Sequence, residues 1–171
     1  MGGSASFEMI KTISVSISIL AFGLAVVGQV SFRSYTNDRF SFSIDYPASF
    51  KMQPPPENED GRTFKSKDGA TEMRVWGQYN AESLTLGEKY NLALKGFNTK
   101  PSYMVLGKTS FVVSGLKEGK IVYIKTLYRK GKDTDVYYTL TIEYPASQRN
   151  AYDSTITRIA NSFKLIPGAD I

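Results

Sequence analysis

Between residues 103 and 144 the chain offers four strand-length segments, 103–106, 110–116, 121–129 and 136–144, and only tight turns to join them. The turns fall at Gly107, at Glu118-Gly119 and at 131–133. Links this short cannot carry a crossover connection, so neighbouring segments have to pair antiparallel. In 121–128 apolar residues stand on both faces, Ile121, Tyr123 and Leu127 against Val122, Ile124 and Tyr128. This pattern predicts a central strand covered from both sides.

Upstream, Phe40, Phe42, Ile44 and Tyr46 alternate with Ser41, Ser43 and Asp45 until Pro47, the pattern of a half-buried strand that proline ends. Pro54-Pro55-Pro56 and the acidic stretch to Gly61 read as a loop. Segments 62–67 and 70–79 flank Asp68-Gly69, which predicts a hairpin with a type I′ turn, both central residues taking positive φ. Thr85 and Glu88 have capping-box spacing ahead of Leu86, Tyr90, Ala93, Leu94 and Phe97, which share one helical face; Gly96 and Pro101 bracket the end. Ser147 is placed to cap a last helix burying Tyr152, Ile156, Ile159, Ala160 and Phe163. Strands, helix, strands, helix is the order of an α+β domain: an antiparallel β-sheet flanked by helices, an α/β/α sandwich.

Of the 171 residues, 42% are hydrophobic and 22% charged, which is a globular and not a disordered balance. The sequence has no His and no Cys. Imidazole bases, thiolate nucleophiles and Cys/His zinc, haem or iron–sulfur ligation are thereby excluded. A catalyst would have to use Asp, Glu, Lys, Tyr or Ser, and a metal site would be built of oxygen ligands, which favours calcium or magnesium.

Lys11 and the apolar run 12–27 ending at Gly28 have the basic, apolar and small-residue regions of a secretory signal. Residues 1–28 are read as a signal peptide, cleaved after Gly28, with 1–8 a possible start-site extension ahead of Met9; 29–171 then form a single domain. A retained membrane anchor is the alternative, weakened by serines at 14, 16 and 18. Either reading places the protein in the periplasm, outside the cell or at the membrane.

The net charge of +5 favours acidic partners such as an anionic envelope polymer or a lipid surface. Basic residues are spread along the chain; the densest group, Arg129, Lys130 and Lys132, falls at a turn. No nucleic-acid-binding motif accompanies them, and no nucleic-acid partner is expected.

Several residues are candidates for chemistry. Glu57, Glu59 and Asp60 put three carboxylates ahead of Gly61, oxygen ligands for a hard cation, although the order is not that of an EF-hand and also suits a solvated loop. Asp133 and Asp135 are a second such pair, equally suited to closing a turn. Trp76, the single tryptophan, alternates onto a face with Glu72, Arg74 and Gln78. Either a covering element makes Trp76 core, or Arg74, Trp76 and Gln78 form an exposed binding surface of hot-spot composition. Gly77 allows a backbone or ligand to approach. The similar strings 44–49 and 142–147 place Asp45 and Glu143 at strand ends; converging, they could act as acid and base.

The strings FSIDYPASF, NEDGRTFKSKDGATEMRVWGQYNA and IEYPASQRNAYDSTITRIANSFK resemble a group of small exported bacterial proteins without an assigned role, with a fold similar to the PsbP-like superfamily. The resemblance covers 35–165. It implies an antiparallel sheet sandwiched by helices and a binding or assembly role, as for the photosystem II extrinsic subunit and a Ran-binding import factor. No catalytic residue and no cofactor travels with it. The expectation is an exported, non-catalytic binding or assembly-accessory domain engaging an envelope protein. The alternatives are a small-ligand or calcium-binding module and an envelope hydrolase using Lys125, a tyrosine or carboxylates such as Glu143 in a cleft.

Overall fold

The structure, a computed structural model, describes residues 30–167. The proposed signal or anchor, 1–28, lies outside them. In chain order the elements are β1 (Phe32–Asn37), β2 (Phe42–Pro47), β3 (Lys51–Met52), β4 (Gly61–Lys65), β5 (Glu72–Tyr79), α1 (Leu86–Lys95), β6 (Tyr103–Leu106), β7 (Ser110–Lys117), β8 (Lys120–Arg129), β9 (Val136–Pro145), a 3₁₀ turn (Ala146–Gln148), α2 (Arg149–Ser162) and β10 (Lys164–Leu165). Two antiparallel sheets result. The larger runs β3-β4-β5-β9-β8-β7-β6 and the smaller β1-β2-β10.

The meander forms as its turns dictate, with Val113 opposite Ile124 and Tyr123 opposite Ile142. Its last strand does not end the sheet. β9 turns its free side to β5, from Glu72 opposite Glu143 to Tyr79 opposite Val136, and so joins the N-terminal hairpin to the meander. The expected cover of β8 from both sides is present, with Ile121, Tyr123 and Leu127 against the core on one face and Val122 and Ile124 against α1 on the other, but the middle one of the seven strands is β9. β8 is interior in the strand order but mostly half-buried, whereas β9 is the strand with buried residues facing both ways, Tyr137 and Tyr138 alike.

One face of the large sheet carries Met73, Val75, Tyr138, Leu140 and Ile142 into the main core, where Phe42, Ile44 and Tyr46 of β2 and Ile156 and Ile159 of α2 close over them. Full burial of each such side chain is worth about 1.5–3 kcal/mol. Phe42 sits edge-on to both Tyr138 and Phe163, with centroids 6.1 and 5.8 Å apart. On the opposite face α1 packs Leu86, Tyr90, Ala93 and Leu94 against Phe111, Val113, Val122 and Ile124. Helices thus stand on both faces, as the α+β reading requires; β1, β2 and β10 share the layer of α2.

Local chemistry fixes the helix ends. Thr85 Oγ1 accepts from the Glu88 N–H at 3.2 Å while a Glu88 carboxylate oxygen accepts from the Thr85 N–H at 2.7 Å, closing the capping box of α1. α2 begins differently from expectation. After Pro145 the chain winds into the 3₁₀ turn, the Ala146 N–H bonding the Gly119 carbonyl at 3.0 Å. Ser147 is therefore inside that turn, and the cap position falls on Gln148, which makes no side-chain cap bond. At the other end of α2, Lys125 Nζ donates to the Ala160 carbonyl at 2.6 Å, a cation satisfying one of the helix's unpaired carbonyls. Burial pushes the Lys125 pKa down.

The 61–79 hairpin forms, with a different turn. Only Gly69 takes positive φ (71°); its N–H bonds the Ser66 carbonyl and the Ser66 N–H bonds the Thr71 carbonyl, both at 2.9 Å. Asp68 instead closes the loop through its carboxylate, which accepts from Ser66 Oγ at 2.5 Å and the Ala70 N–H at 3.1 Å. The first of these bonds is the main cause holding the Asp68 pKa below its usual range. Gly77 also has a use other than expected. A Cβ there would lie 2.3 Å from Phe40, so the glycine admits a core side chain rather than a backbone or ligand.

Gly77→Val is accordingly expected to lower the unfolding free energy by about 1–3 kcal/mol in urea, as overpacking does; wild-type stability would contradict the Phe40 contact. A second expectation concerns alkali. Burial, with a smaller contribution from Tyr103, raises the Tyr123 pKa from 10.0 to about 12. A phenol raised in the native state is neutral in both states below pH 10, so its effect is stability lost as pH climbs from about 10 towards 12. The urea midpoint should fall over that window, and Tyr123→Phe should flatten the fall.

Candidate binding face

Strand alternation puts Thr63 and Lys65 of β4, Glu72, Arg74, Trp76 and Gln78 of β5 and Thr141 and Glu143 of β9 on the same face of the large sheet as α1. α1 lies over β7 and β8, so this half of the face has no helix on it. The chain between β3 and β4 borders it instead. Gln53, Pro54-Pro55-Pro56 and Asp60 form one wall of a groove of about 800 Å³ floored by Trp76, Arg74, Thr141 and Glu143.

Trp76 stands opposite Gly61, and a Cβ at Gly61 would come within 2.6 Å of the Trp76 Cβ. Nearer still would be the Val75 carbonyl oxygen, at 2.1 Å, so it is the close approach of the two strands that requires the glycine. Trp76 is half-buried and belongs to neither apolar cluster, so the core account of this residue is set aside. Its Nε1–H donates to Gln78 Oε1 at 3.1 Å. Arg74 is exposed and pairs with Glu72, whose other oxygen meets Lys65 Nζ at 3.1 Å. Burial works against the Glu72 carboxylate, but hydrogen bonds and charge from Lys65 and Arg74 outweigh it and hold its pKa below the usual range. Their charges also offset the apposition of Glu72 and Glu143, like charges directly opposite in the ladder. Arg74, Trp76 and Gln78 are thus brought together, with Glu143 on the same face.

The other candidates are not gathered. Asn37, buried at the end of β1, donates Nδ2–H to the Glu59 carbonyl at 2.9 Å, and Arg39 donates to the Asn58 carbonyl. These tethers act on the loop backbone, and the Asp60 carboxylate accepts from Asn58 Nδ2 at 2.8 Å. No group of three acidic side chains among the described residues is arranged to hold a metal ion, so Glu57, Glu59 and Asp60 form no common ligand set. Asp45 belongs to the small sheet, accepting from Ser34 Oγ at 2.6 Å with the Arg158 guanidinium 4.0 Å away. It lies across the main core from Glu143, and the two carboxylates do not converge. Lys125 likewise projects to the α2 face, away from Glu143.

Asp135 closes the β8–β9 turn, accepting from Tyr128 Oη at 2.5 Å and the Gly131 N–H at 3.3 Å. The hydrogen bond to Asp135 is the first cause of the raised Tyr128 pKa. Lys130 and Lys132 border a separate depression at that turn. Thr63, Thr141 and the proline wall escaped the sequence reading; only the period-2 alternation opposite Trp76 could have pointed to the threonines, once strand partners were known.

The chain matches no family model and no curated protein. Solved structures similar to it include the cyanobacterial PsbP, CyanoP, of Synechocystis, at TM-score 0.57 and 12% identity over 82% of this chain and 95% of that one. The Ran-binding protein Mog1p of Saccharomyces cerevisiae is similar at TM-score 0.52 and 10% identity, over 81% of this chain and 97% of that one. LpqN of Mycobacterium tuberculosis, described as involved in cell envelope biogenesis, is similar at TM-score 0.50 and 11% identity, over 81% of this chain and 92% of that one. With its antiparallel sheet between α1 and the α2 layer, the chain has the PsbP-like fold.

Proposed function

We propose that the protein is an exported, non-catalytic binding or assembly-accessory domain of the cell envelope that holds a protein partner on the open face of β4, β5 and β9. The observation that carries this reading is a half-buried tryptophan beside an arginine on a sheet face that α1 does not reach. Trp and Arg are the side chains that most often anchor interfaces: each offers a large contact area together with a directional donor. The Lys65–Glu72–Arg74 network holds part of the Arg74 side chain in place before binding, which reduces the ordering cost.

Catalysis finds little support in the arrangement. Asp45 and Lys125 each have structural partners on the far side of the sheet from Glu143, leaving no acid–base or nucleophile–base pair among the candidates. Export is supported by the composition of 1–28 and by the envelope role given to LpqN, and protein binding by the Ran-binding role of Mog1p, both as analogies of fold.

Two measurements test this. The intact mass of protein isolated from its host is expected to begin at Gln29, in the soluble envelope or medium fraction; full-length protein in the cytosol would refute the export component, and full-length protein in the membrane would replace it with an anchor. For the face itself, a photocrosslinking residue in place of Thr63, which lines the same groove, should give a discrete adduct in the host, and the same residue in place of Lys132 should not. Trp76→Ala should reduce that adduct about tenfold or more, as removal of an anchor does. Equal yield from both positions, or an adduct indifferent to Trp76→Ala, would overturn the proposal.

A further inference from the structure

The large sheet has two edges, and the chain treats them differently. β3 is two residues long, carries Lys51 and leads into three prolines, all features that discourage an added strand. β6 is twice that length, with neither charge nor proline inside it. Tyr103 is 53% exposed, Val105 46% and Leu106 48%, and Leu116 on the adjoining β7 is 54% exposed. These four are half of the large apolar side chains left exposed among the described residues.

The backbone of β6 is open in a defined way. The Gly107 N–H bonds the Ser110 carbonyl at 2.8 Å, and Val105 and Tyr103 stand opposite Val112 and Ser114. Because an antiparallel ladder alternates, residues 103, 105 and 107 direct their polar groups at β7, and Met104 and Leu106 direct theirs outward. Two N–H and two carbonyl groups therefore face away from the sheet.

Charge singles out the same edge. Basic residues are spread along the chain, but acidic ones are not: residues 89–117 contain Lys89, Lys95, Lys100, Lys108 and Lys117 and no carboxylate, so that segment alone accounts for the net +5. The segment comprises most of α1 and all of β6 and β7. Lys100 and Lys108, both exposed, bracket β6. Pairing with a second copy about a two-fold axis would bring Lys100 of each copy towards Lys108 of the other. A lipid surface could meet the lysines but would leave the outward backbone groups without partners.

We propose that β6 is a docking edge that takes an extended polypeptide segment, apolar at its centre and acidic at its ends, as an eighth strand of the sheet. The outward groups of Met104 and Leu106 supply the ladder, Tyr103, Val105 and Leu116 pack one face of the incoming strand, Leu106 packs the other, and the bracketing lysines select acidic flanks. This edge is at the opposite end of the strand order from the open face, so the two surfaces stand or fall separately.

The test titrates two synthetic peptides into the isotope-labelled protein, one with an alternating Val-Thr core and two Asp at each end, the other with the same core and two Lys at each end. The acidic peptide should shift amide resonances of β6 and β7, slow exchange at Met104 and Leu106, and bind at least about tenfold tighter than the basic one at low salt. Met104→Pro deletes an outward donor and should abolish binding. Lys100→Glu with Lys108→Glu leaves the ladder intact and should reverse the peptide preference, which keeps the test decisive if the proline variant does not fold. Shifts confined to the open face, equal affinity for both peptides, or no binding at millimolar concentration would overturn the proposal. So would a dimer sensitive to Met104→Pro in sedimentation, or attachment to anionic lipid vesicles that exceeds peptide binding and ignores that substitution.

Discussion

The rest of the structure depends on the double pairing of β9. Its ten residues ladder with β8 along their whole length, and the eight residues of β5 pair with its other side. The β8 contact is local and follows from a short turn. The β5 contact joins residues more than fifty positions apart, so it carries a loop-closure entropy cost, which grows only logarithmically with length. What offsets it is the row formed by Met73 and Val75 against Ile142 and Leu140, fully buried beneath β2 and α2. Remove that row, and the hairpin and the meander have no reason to share a sheet.

The open face follows from dimensions. Six inter-strand spacings of about 4.8 Å make the large sheet about 29 Å wide. A helix is about 10 Å across and can shield only about two strands. α1 is placed by Asn80, whose side chain brackets Leu84 with bonds of 2.9 and 3.0 Å, and by Tyr137 Oη, which donates to the Leu84 carbonyl at 2.7 Å. These bonds start the helix beside β9 and send it over β7 and β8. Over β4, β5 and β9 the opposite face is closed because α2 shares the work with a three-stranded sheet. A single ten-residue helix facing seven strands leaves Trp76 and its neighbours without cover, whatever the residues between them favour.

Local signals were legible in the sequence in proportion to how few residues they involve. Thr85 and Glu88 specify a helix start by themselves, and the alternation from Phe40 to Tyr46 needs no knowledge of its partner. Asp68-Gly69 marked the hairpin correctly but not its turn, because Asp68 has its own route to closing a loop, accepting through its carboxylate instead of entering the left-handed region. Ser147 misled for a related reason: the Ala146–Gly119 bond, made by a distant turn, draws the chain into 3₁₀ geometry first. Period 2 puts Trp76 on the correct face, while its exposure depends on where α1 lands. Neither Phe40 filling the space at Gly77 nor Lys125 reaching the end of α2 has a sequence signature, since each is created by elements far apart in the chain.

The distribution of charge gives the molecule two unlike halves. Around β4 and β5, basic and acidic side chains pair with one another, and the exposed aromatic surface carries its own compensating ions. Around β6 and β7, positive charge accumulates beside exposed apolar side chains. With no His and no Cys in the sequence, no side chain has an ordinary pKa between about 5 and 8, so this contrast is fixed over the pH range in which many envelope proteins switch. Ionic strength is then the variable to which its long-range attraction responds, because exposed lysines are screened within about 8–10 Å at moderate salt. A basic edge of this kind steers acidic segments in dilute surroundings and leaves backbone and apolar contacts to hold them once docked, which separates the rate of encounter from the strength of attachment.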